Sequence, residues 1–345
     1  MHRALRRGAA LLLASALLLA LAGCVLLPDT SGGTLQTAER TLFLMDTQME
    51  LRLYVPDEAA GREALDELEA LLTQLDGRLS VTNPDSVLSR ANRLGQSDDP
   101  ELLELAGRAL QMHGQTGGAL DISLYPASRL WGFSTGSYRV PAPEELEALR
   151  PAVGMDRLTL SPEQLVLAEG MQLDLGALGK GYAADRCREL LEQRKCSGIL
   201  NLGGNLQTVG EKPDGSDWVI GIQDPDDMGA YLLTLRLPGS RAVVTSGDYQ
   251  RYFEQDGVRY CHILDPKTLS PVRNSLRSVT VVADSGLQAD GLATALFVLG
   301  LDDGLALWRA SRGFEAVWIE DDGTVTVTSG LKELASGCAF EVAEP

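Results

Sequence analysis

Leu173-Asp174-Leu175-Gly176-Ala177-Leu178-Gly179-Lys180-Gly181-Tyr182-Ala183-Ala184-Asp185 is the stretch on which the fold turns. A strand ends near Asp174, three glycines punctuate a turn, and a helix begins at or near Lys180 and runs to about residue 194. The start of a helix carries backbone N–H groups without helical partners. Glycines let an anion approach them closely, and Lys180 adds a positive charge. The spacing G-x-x-G-x-G is neither a Walker A loop nor a dinucleotide fingerprint. Locally, the stretch fits either an anion cradle or a plain strand–turn–helix with packing glycines.

On its N-terminal side, residues 41–55 alternate, with Phe43, Met45, Thr47, Met49, Leu51, Leu53 and Val55 on one face. This period predicts one half-buried strand with a bend near Asp46. Asp57 opens a helix bearing Ala64, Leu65, Leu68, Leu71, Leu72, Leu75 and Leu79 at helical spacing, and a second helix follows Pro100 and ends near His113. Histidine late in a helix reads as a helix-end or surface residue. Short strands are expected within residues 157–174. On the C-terminal side, strands are expected at 198–202, 218–222, 231–237, 258–264 and 278–283. Ser285 caps a helix to about Leu299, with Gly300 just past its end, and a hairpin around Asp321-Asp322-Gly323 closes the chain. The fold class is α+β, with antiparallel sheets and flanking helices.

The first residues read as an export signal. Arg3, Arg6 and Arg7 precede an apolar run over residues 8–21, which is short for a membrane span, and Ala22-Gly23-Cys24 follows. The ending resembles a lipobox, so Cys24 is the expected lipidation site. Residues 1–23 are then a signal peptide, 24–40 a lipidated cysteine with a flexible Pro/Ser/Gly/Thr-rich tether, and 41–342 the folded domain. The expected location is extracytoplasmic, on the membrane through the lipid anchor.

The formal charge is -18, and losing the three leader arginines makes the remainder more acidic still. Such a balance argues against nucleic-acid binding, and any anion site must be built locally. Cys187, Cys196, Cys261 and Cys338 form no C-x-x-C pair, so no structural zinc site or thioredoxin motif is signalled.

Three further segments carry chemistry. Asp290 and Thr294 stand at i and i+4 on one helical face, a carboxylate and a hydroxyl suited to a hard cation such as Mg2+, or equally to a helix dipole and a back-bonded threonine. His262, in Tyr260-Cys261-His262-Ile263-Leu264-Asp265-Pro266-Lys267-Thr268, is the best general base by chemistry. The alternative is a core histidine hydrogen-bonded within its strand. Gly118-Ala119-Leu120-Asp121-Ile122-Ser123, followed by Trp131 and Phe133, offers aromatics for a planar ring or for core packing.

Taken in order, these segments resemble the ApbE family of FAD:protein FMN transferases. The matching blocks are Met45-Asp46-Thr47, residues 80–92, 118–133 and 174–185, Asn201-Leu202-Gly203-Gly204-Asn205, residues 245–249 and 262–268, and Ala289 to Thr294. The resemblance implies FAD as substrate and Mg2+ as cofactor. Asp290 and Thr294 would then be metal ligands, with the carbonyl of Ala177 beside them. Met45, Ala119, Leu120, Asp121, Asp174, Lys180 and Leu264 would contact FAD, and His262 would deprotonate the acceptor hydroxyl. The acceptor would be a redox-complex subunit or a secreted flavoprotein. FAD hydrolysis to FMN and AMP, or FAD binding without catalysis, would use the same residues. Two positions depart from the family pattern. Thr82 replaces an aromatic beside the flavin. Leu269 replaces a glycine after the DP-x-T turn, so that turn is expected to differ if the glycine has positive φ.

Overall fold

The computed structural model describes residues 35–227 and 229–345. Cys24 and the leader lie outside the described residues. The frame is a nine-stranded sheet. Its strands are β1 (Gln36–Leu44), β2 (Thr47–Val55), β3 (Ser197–Leu202), β4 (Asn205–Val209), β5 (Ala242–Gly247), β6 (Leu276–Ala283), β7 (Glu315–Glu320), β8 (Val325–Thr328) and β9 (Glu341–Ala343). Their spatial order is their chain order. Every neighbouring pair is antiparallel except β8–β9.

That topology places the site. In an antiparallel meander, odd strands end on one edge. The turn after β1, the Gly203-Gly204 turn after β3 and the long arm of residues 248–275 after β5 therefore leave from the same edge. The arm carries His262.

The helices are α1 (Glu58–Leu79), α2 (Val87–Leu94), α3 (Pro100–Gln115), α4 (Tyr125–Trp131), α5 (Pro143–Glu147), α6 (Gly179–Gln193) and α7 (Gly286–Ser311). Met49, Leu51, Leu53, Leu200, Leu202, Val244, Val279 and Val281 point to the face covered by α1, α6 and α7, forming the main core. Each such side chain contributes roughly 1.5–3 kcal/mol on burial. On the opposite face, Val243, Val282, Val317, Ile319, Val325 and Val327 pack under a small sheet made of Trp218–Gln223, Tyr231–Leu237 and Ala335–Ser336.

Residues 41–55 are two strands rather than one bent strand. Leu44 pairs with Thr47, so only Met45 and Asp46 make the reversal. Both take positive φ, 51° and 57°, as a two-residue turn of type I′ requires. The reversal changes the parity of the faces, and Phe43 is left 75% exposed, away from Met49. Alternation alone does not report a reversal, because the period continues through it. Strand pairing also includes residues before 41, the boundary expected for the folded domain, because Gln36 to Arg40 pair with Leu51 to Val55.

The strand expected at 258–264 is broken. Val258–Cys261 pairs with Tyr252–Gln255, Leu264–Asp265 pairs with Ser270–Pro271, and His262 stands between the two hairpins. Asp57 and Ser285 cap their helices as expected, accepting from the N–H groups of Ala60 and Gln288. Gly300 leaves helical geometry at φ 79° and breaks α7 where the sequence placed its end.

The starts of α6 and α7 cross backbone against backbone. A Cβ on Gly181 would lie 2.2 Å from the Gly286 carbonyl oxygen, and one on Gly286 would lie 2.5 Å from the Gly181 oxygen. Asp185 locks the crossing. Its carboxylate accepts from Gly286 N–H (2.7 Å), Leu287 N–H (3.0 Å) and Ser285 Oγ (2.7 Å). Because the clash is with backbone, no rotamer change relieves it. Gly181→Ala is therefore expected to destabilise the fold by about 2 kcal/mol or more in urea unfolding, while Gly179→Ala, which meets nothing within 4 Å, stays near wild type.

Candidate active site

One cleft of about 1740 Å³ opens at the sheet edge where the odd strands end. It exceeds the roughly 300–1,000 Å³ of an ordinary small-molecule pocket. Met45, Ala119, Leu120, Asp121, Asp174, Ala177, Lys180, His262, Leu264 and Thr294 all line it. Asp290 sits behind the wall, 4% exposed.

The wall below Lys180 is assembled by hydrogen bonds. Asn92, on α2, clamps the backbone of Leu173 with both amide atoms, at 2.8 and 2.7 Å. Asp174 N–H donates to Ile122 O (2.8 Å), which joins the 119–123 loop to the 172–174 segment. The Asp174 carboxylate accepts from Gly176 N–H (2.9 Å) and closes the turn. Burial pushes the Asp174 carboxyl up, against the opposing pull of that hydrogen bond, Arg251 and Lys180. On the neighbouring loop, Ser123 donates to Asp121 through N–H (2.7 Å) and Oγ (2.5 Å). His113 is not a plain surface histidine. Since a carbonyl only accepts, its Nδ1 donates to Leu120 O at 2.7 Å and braces this loop.

The start of α6 is less of an anion cradle than its glycines imply. The N–H groups of Leu178, Gly179 and Tyr182 go to carbonyls of Leu175 and Leu178, and that of Gly181 goes to Asp290 Oδ2 at 2.9 Å. Gly181 serves the helix crossing, so cationic charge here comes from Lys180. Asp290 is the unusual partner. It is a buried carboxylate without an ion pair among the described residues, a costly state unless a cation joins it. Thr294, one turn along α7, and Ala177 both face the cleft. Carboxylate, hydroxyl and carbonyl are oxygen donors that fit Mg2+, which binds through one or two carboxylates together with substrate phosphates. Consistent with such a sparse set, no three acidic, His or Cys groups cluster among the described residues.

His262 faces this corner from the arm. Its N–H (3.0 Å) and its Nδ1 (3.2 Å) both address the carbonyl of Arg251. The carbonyl accepts, so Nδ1 carries the proton and Nε2 is left free to take one. Burial in the cleft wall, helped by Arg251 and Lys180, pushes the imidazole down to about 4. It is neutral at physiological pH, as a base must be. Adjacent Cys261 is buried, and burial pushes its thiol up to about 11, so it is no nucleophile. Cys187, Cys196 and Cys338 are also free thiols.

The arm is held by aromatics. Trp131 and Phe133 pack into the core of the arm, and of the two only Phe133 also reaches the cleft wall. Tyr138, Phe253 and Tyr260 stack in a ladder with centroids 5.2 and 5.0 Å apart. Leu269 takes φ 58°, so the turn after Asp265 keeps the left-handed backbone with a leucine in it. Full burial of the side chain beside Trp131 and Leu264, and a 2.8 Å bond from Trp131 Nε1 to its carbonyl, offset the local strain of roughly 1–2 kcal/mol. Thr82 is an exposed residue on the cleft wall and offers no ring there.

Arg251, Asn92 and Asp185 were not singled out in the sequence. Arg251 carries no motif, and the other two act through partners 81 to 102 residues away.

Basic side chains at Lys180 and Arg251, a neutral imidazole at His262 and a buried carboxylate just behind the cleft wall suit an enzyme that acts on an anionic substrate. Residues 45–318 match the profile of the ApbE family, and the chain belongs to that family. It is 33% identical over 336 residues to the FAD:protein FMN transferase of Vibrio cholerae serotype O1, covering 94% of this chain and 96% of that protein. The FAD:protein FMN transferase of Treponema pallidum is 35% identical, with 87% and 90% covered. Among solved structures, the ApbE protein of Thermotoga maritima superposes with TM-score 0.81 at 30% identity, covering 87% of this chain and 99% of that one. The apo flavinyl transferase ApbE of Pseudomonas stutzeri gives 0.78 at 35% identity, covering 88% and 98%.

His262 is neutral when folded across a range where it is charged when unfolded. The native state binds fewer protons there, so its contribution to stability is present above pH 6.5 and lost as pH falls towards about 4. NMR titration of the imidazole should show a midpoint near 4, and Arg251→Gln should raise it. A wild-type midpoint at or above 6.5 would contradict the assigned environment.

Proposed function

We propose that this enzyme transfers FMN from FAD to a Thr or Ser hydroxyl of an acceptor protein and releases AMP. The observation that carries the reading is the placement of His262, neutral with Nε2 free, in the same cleft as the oxygen-donor corner at Asp290 and Thr294. The names of the relatives support the same donor and product.

FAD lies along the cleft against Met45, Ala119, Leu120, Asp121, Asp174 and Leu264, with Lys180 and Arg251 offering positive charge to its pyrophosphate. Asp290, Thr294 and the Ala177 carbonyl would hold Mg2+, which neutralises and polarises that pyrophosphate when bound. His262 Nε2 takes the proton of the acceptor hydroxyl. The freed oxygen attacks the FMN-side phosphorus, the bond from that phosphorus to the bridging oxygen breaks, and AMP departs with the electron pair. Arg251 keeps the imidazole in the required tautomer by accepting from Nδ1. The remaining work is orientation and charge neutralisation.

Cys24 is proposed to carry the lipid that holds the enzyme on the extracytoplasmic side of the membrane, near membrane redox subunits or secreted flavoproteins as acceptors. Cys24→Ser should move the protein from the membrane pellet to the soluble fraction with activity retained; a pellet unchanged by the substitution would remove the anchor from this scheme.

With FAD, Mg2+ and an acceptor, mass spectrometry should show the acceptor gaining FMN as AMP appears. His262→Ala is expected to keep FAD binding and lose transfer by about 10²–10⁴-fold. AMP without a modified acceptor would instead indicate FAD hydrolysis. Asp290→Ala should abolish the dependence on divalent ions along with most of the activity, and full wild-type activity in EDTA would eliminate the metal corner.

A further inference from the structure

Trp218–Gln223 is an edge strand of the small sheet, paired only with Tyr231–Leu237. Every second N–H and C=O of residues 219–222 points away from the partner strand, and their backbone makes no hydrogen bond outside the sheet among the described residues. Open edges are ordinarily protected by charge, proline or brevity, because they accept foreign strands. The other edges here follow that rule. β1 carries Glu39 and Arg40, Tyr252–Gln255 carries Glu254, Val258–Cys261 carries Arg259, and β9 and Ala335–Ser336 have three and two residues. Trp-Val-Ile-Gly-Ile-Gln has six residues and neither charge nor proline.

This unprotected edge lines the same cleft as His262, through Val219, Ile220 and Gly221. Beside it stand Val219, 48% exposed, and Tyr231, 72% exposed. Hydrogen bonds tie the strand to the arm of His262. Just past the strand, Asp226 and the Pro225 carbonyl bind Arg277 (2.5 and 3.2 Å), and Arg277 also holds Asp248 (3.1 Å) at the root of the arm that carries His262. The edge therefore ends where that arm begins.

We infer that residues 218–223 are the docking edge for the acceptor, which adds an extended segment of its chain as a fourth strand and so delivers its hydroxyl towards His262. The inference rests on the proposed transferase reading, which requires a polypeptide in this cleft. Strand addition supplies affinity through backbone bonds, while Val219 and Tyr231 favour apolar side chains on alternate positions. About 20 Å of edge is available.

The test uses the full chain in detergent, FAD, Mg2+ and a pool of short synthetic peptides, each with one threonine and varied flanks. FMN-bearing peptides are identified by mass, and the best is taken into kinetics. Val219→Lys places a charge on the edge at an exposed position. It should raise the KM for that peptide by about tenfold, with kcat and FAD affinity close to wild type. Val219→Thr, which keeps a β-branched residue, should restore the wild-type KM. Circular dichroism checks that both variants fold. Equal KM values for wild type and Val219→Lys would overturn the docking edge and leave FMN transfer standing. A wild-type chain that modifies no peptide would overturn both.

Discussion

The site depends on one contact, the crossing of α6 and α7 at Gly181 and Gly286. Two helix starts can meet there only because neither residue has a Cβ. The same approach lets Gly181 N–H reach Asp290, and lets the Asp185 carboxylate serve the N–H groups opened at the start of α7. The crossing thereby holds Ala177, Lys180, Asp290 and Thr294 in one corner. Each carboxylate satisfies orphan donors at a helix end, where negative charge is also favoured by the helix dipole. Asp290 is thereby buried with the Gly181 N–H as its partner and no ion pair among the described residues.

The sheet supplies the other half. Its strands follow one another in space as in sequence, so successive connections alternate between edges. One edge receives the strained Met45-Asp46 turn, the Gly203-Gly204 turn and the arm with His262. The arm is independently stiffened by the stacked rings of Tyr138, Phe253 and Tyr260 and by Leu269. His262, held against Arg251 on a packed arm, shares the cleft with the oxygen donors held by two helices. The chemistry assigned to the site needs that fixed separation more than any single strong group.

The cleft also explains the electrostatics of a strongly acidic chain. The surface charge would repel a dinucleotide, and the site answers locally with Lys180 and Arg251. Those same cations help to keep His262 neutral. An anionic substrate lying between them would weaken that effect and strengthen the base once substrate is bound.

Much of this was legible in the chain itself. Caps at Asp57 and Ser285, the break at Gly300 and the antiparallel character follow from local chemistry, because capping and backbone freedom depend on adjacent residues. Asp290, Thr294 and His262 could be named as candidates from their side chains, though each also had a bland local explanation. Only the tertiary structure shows that Thr294 and His262 line one cleft with Asp290 just behind its wall. Face parity hid the reversal at Met45-Asp46, since alternation persists through a two-residue turn. The glycines of 176–181 looked like an anion cradle until Gly181 proved to be a helix crossing. Asn92 and Asp185 act on groups 81 to 102 residues away, and no local pattern encodes such partners. The sequence determined which groups were available and where elements begin and end; the fold decided which of them meet, because distances between remote residues are set by packing alone.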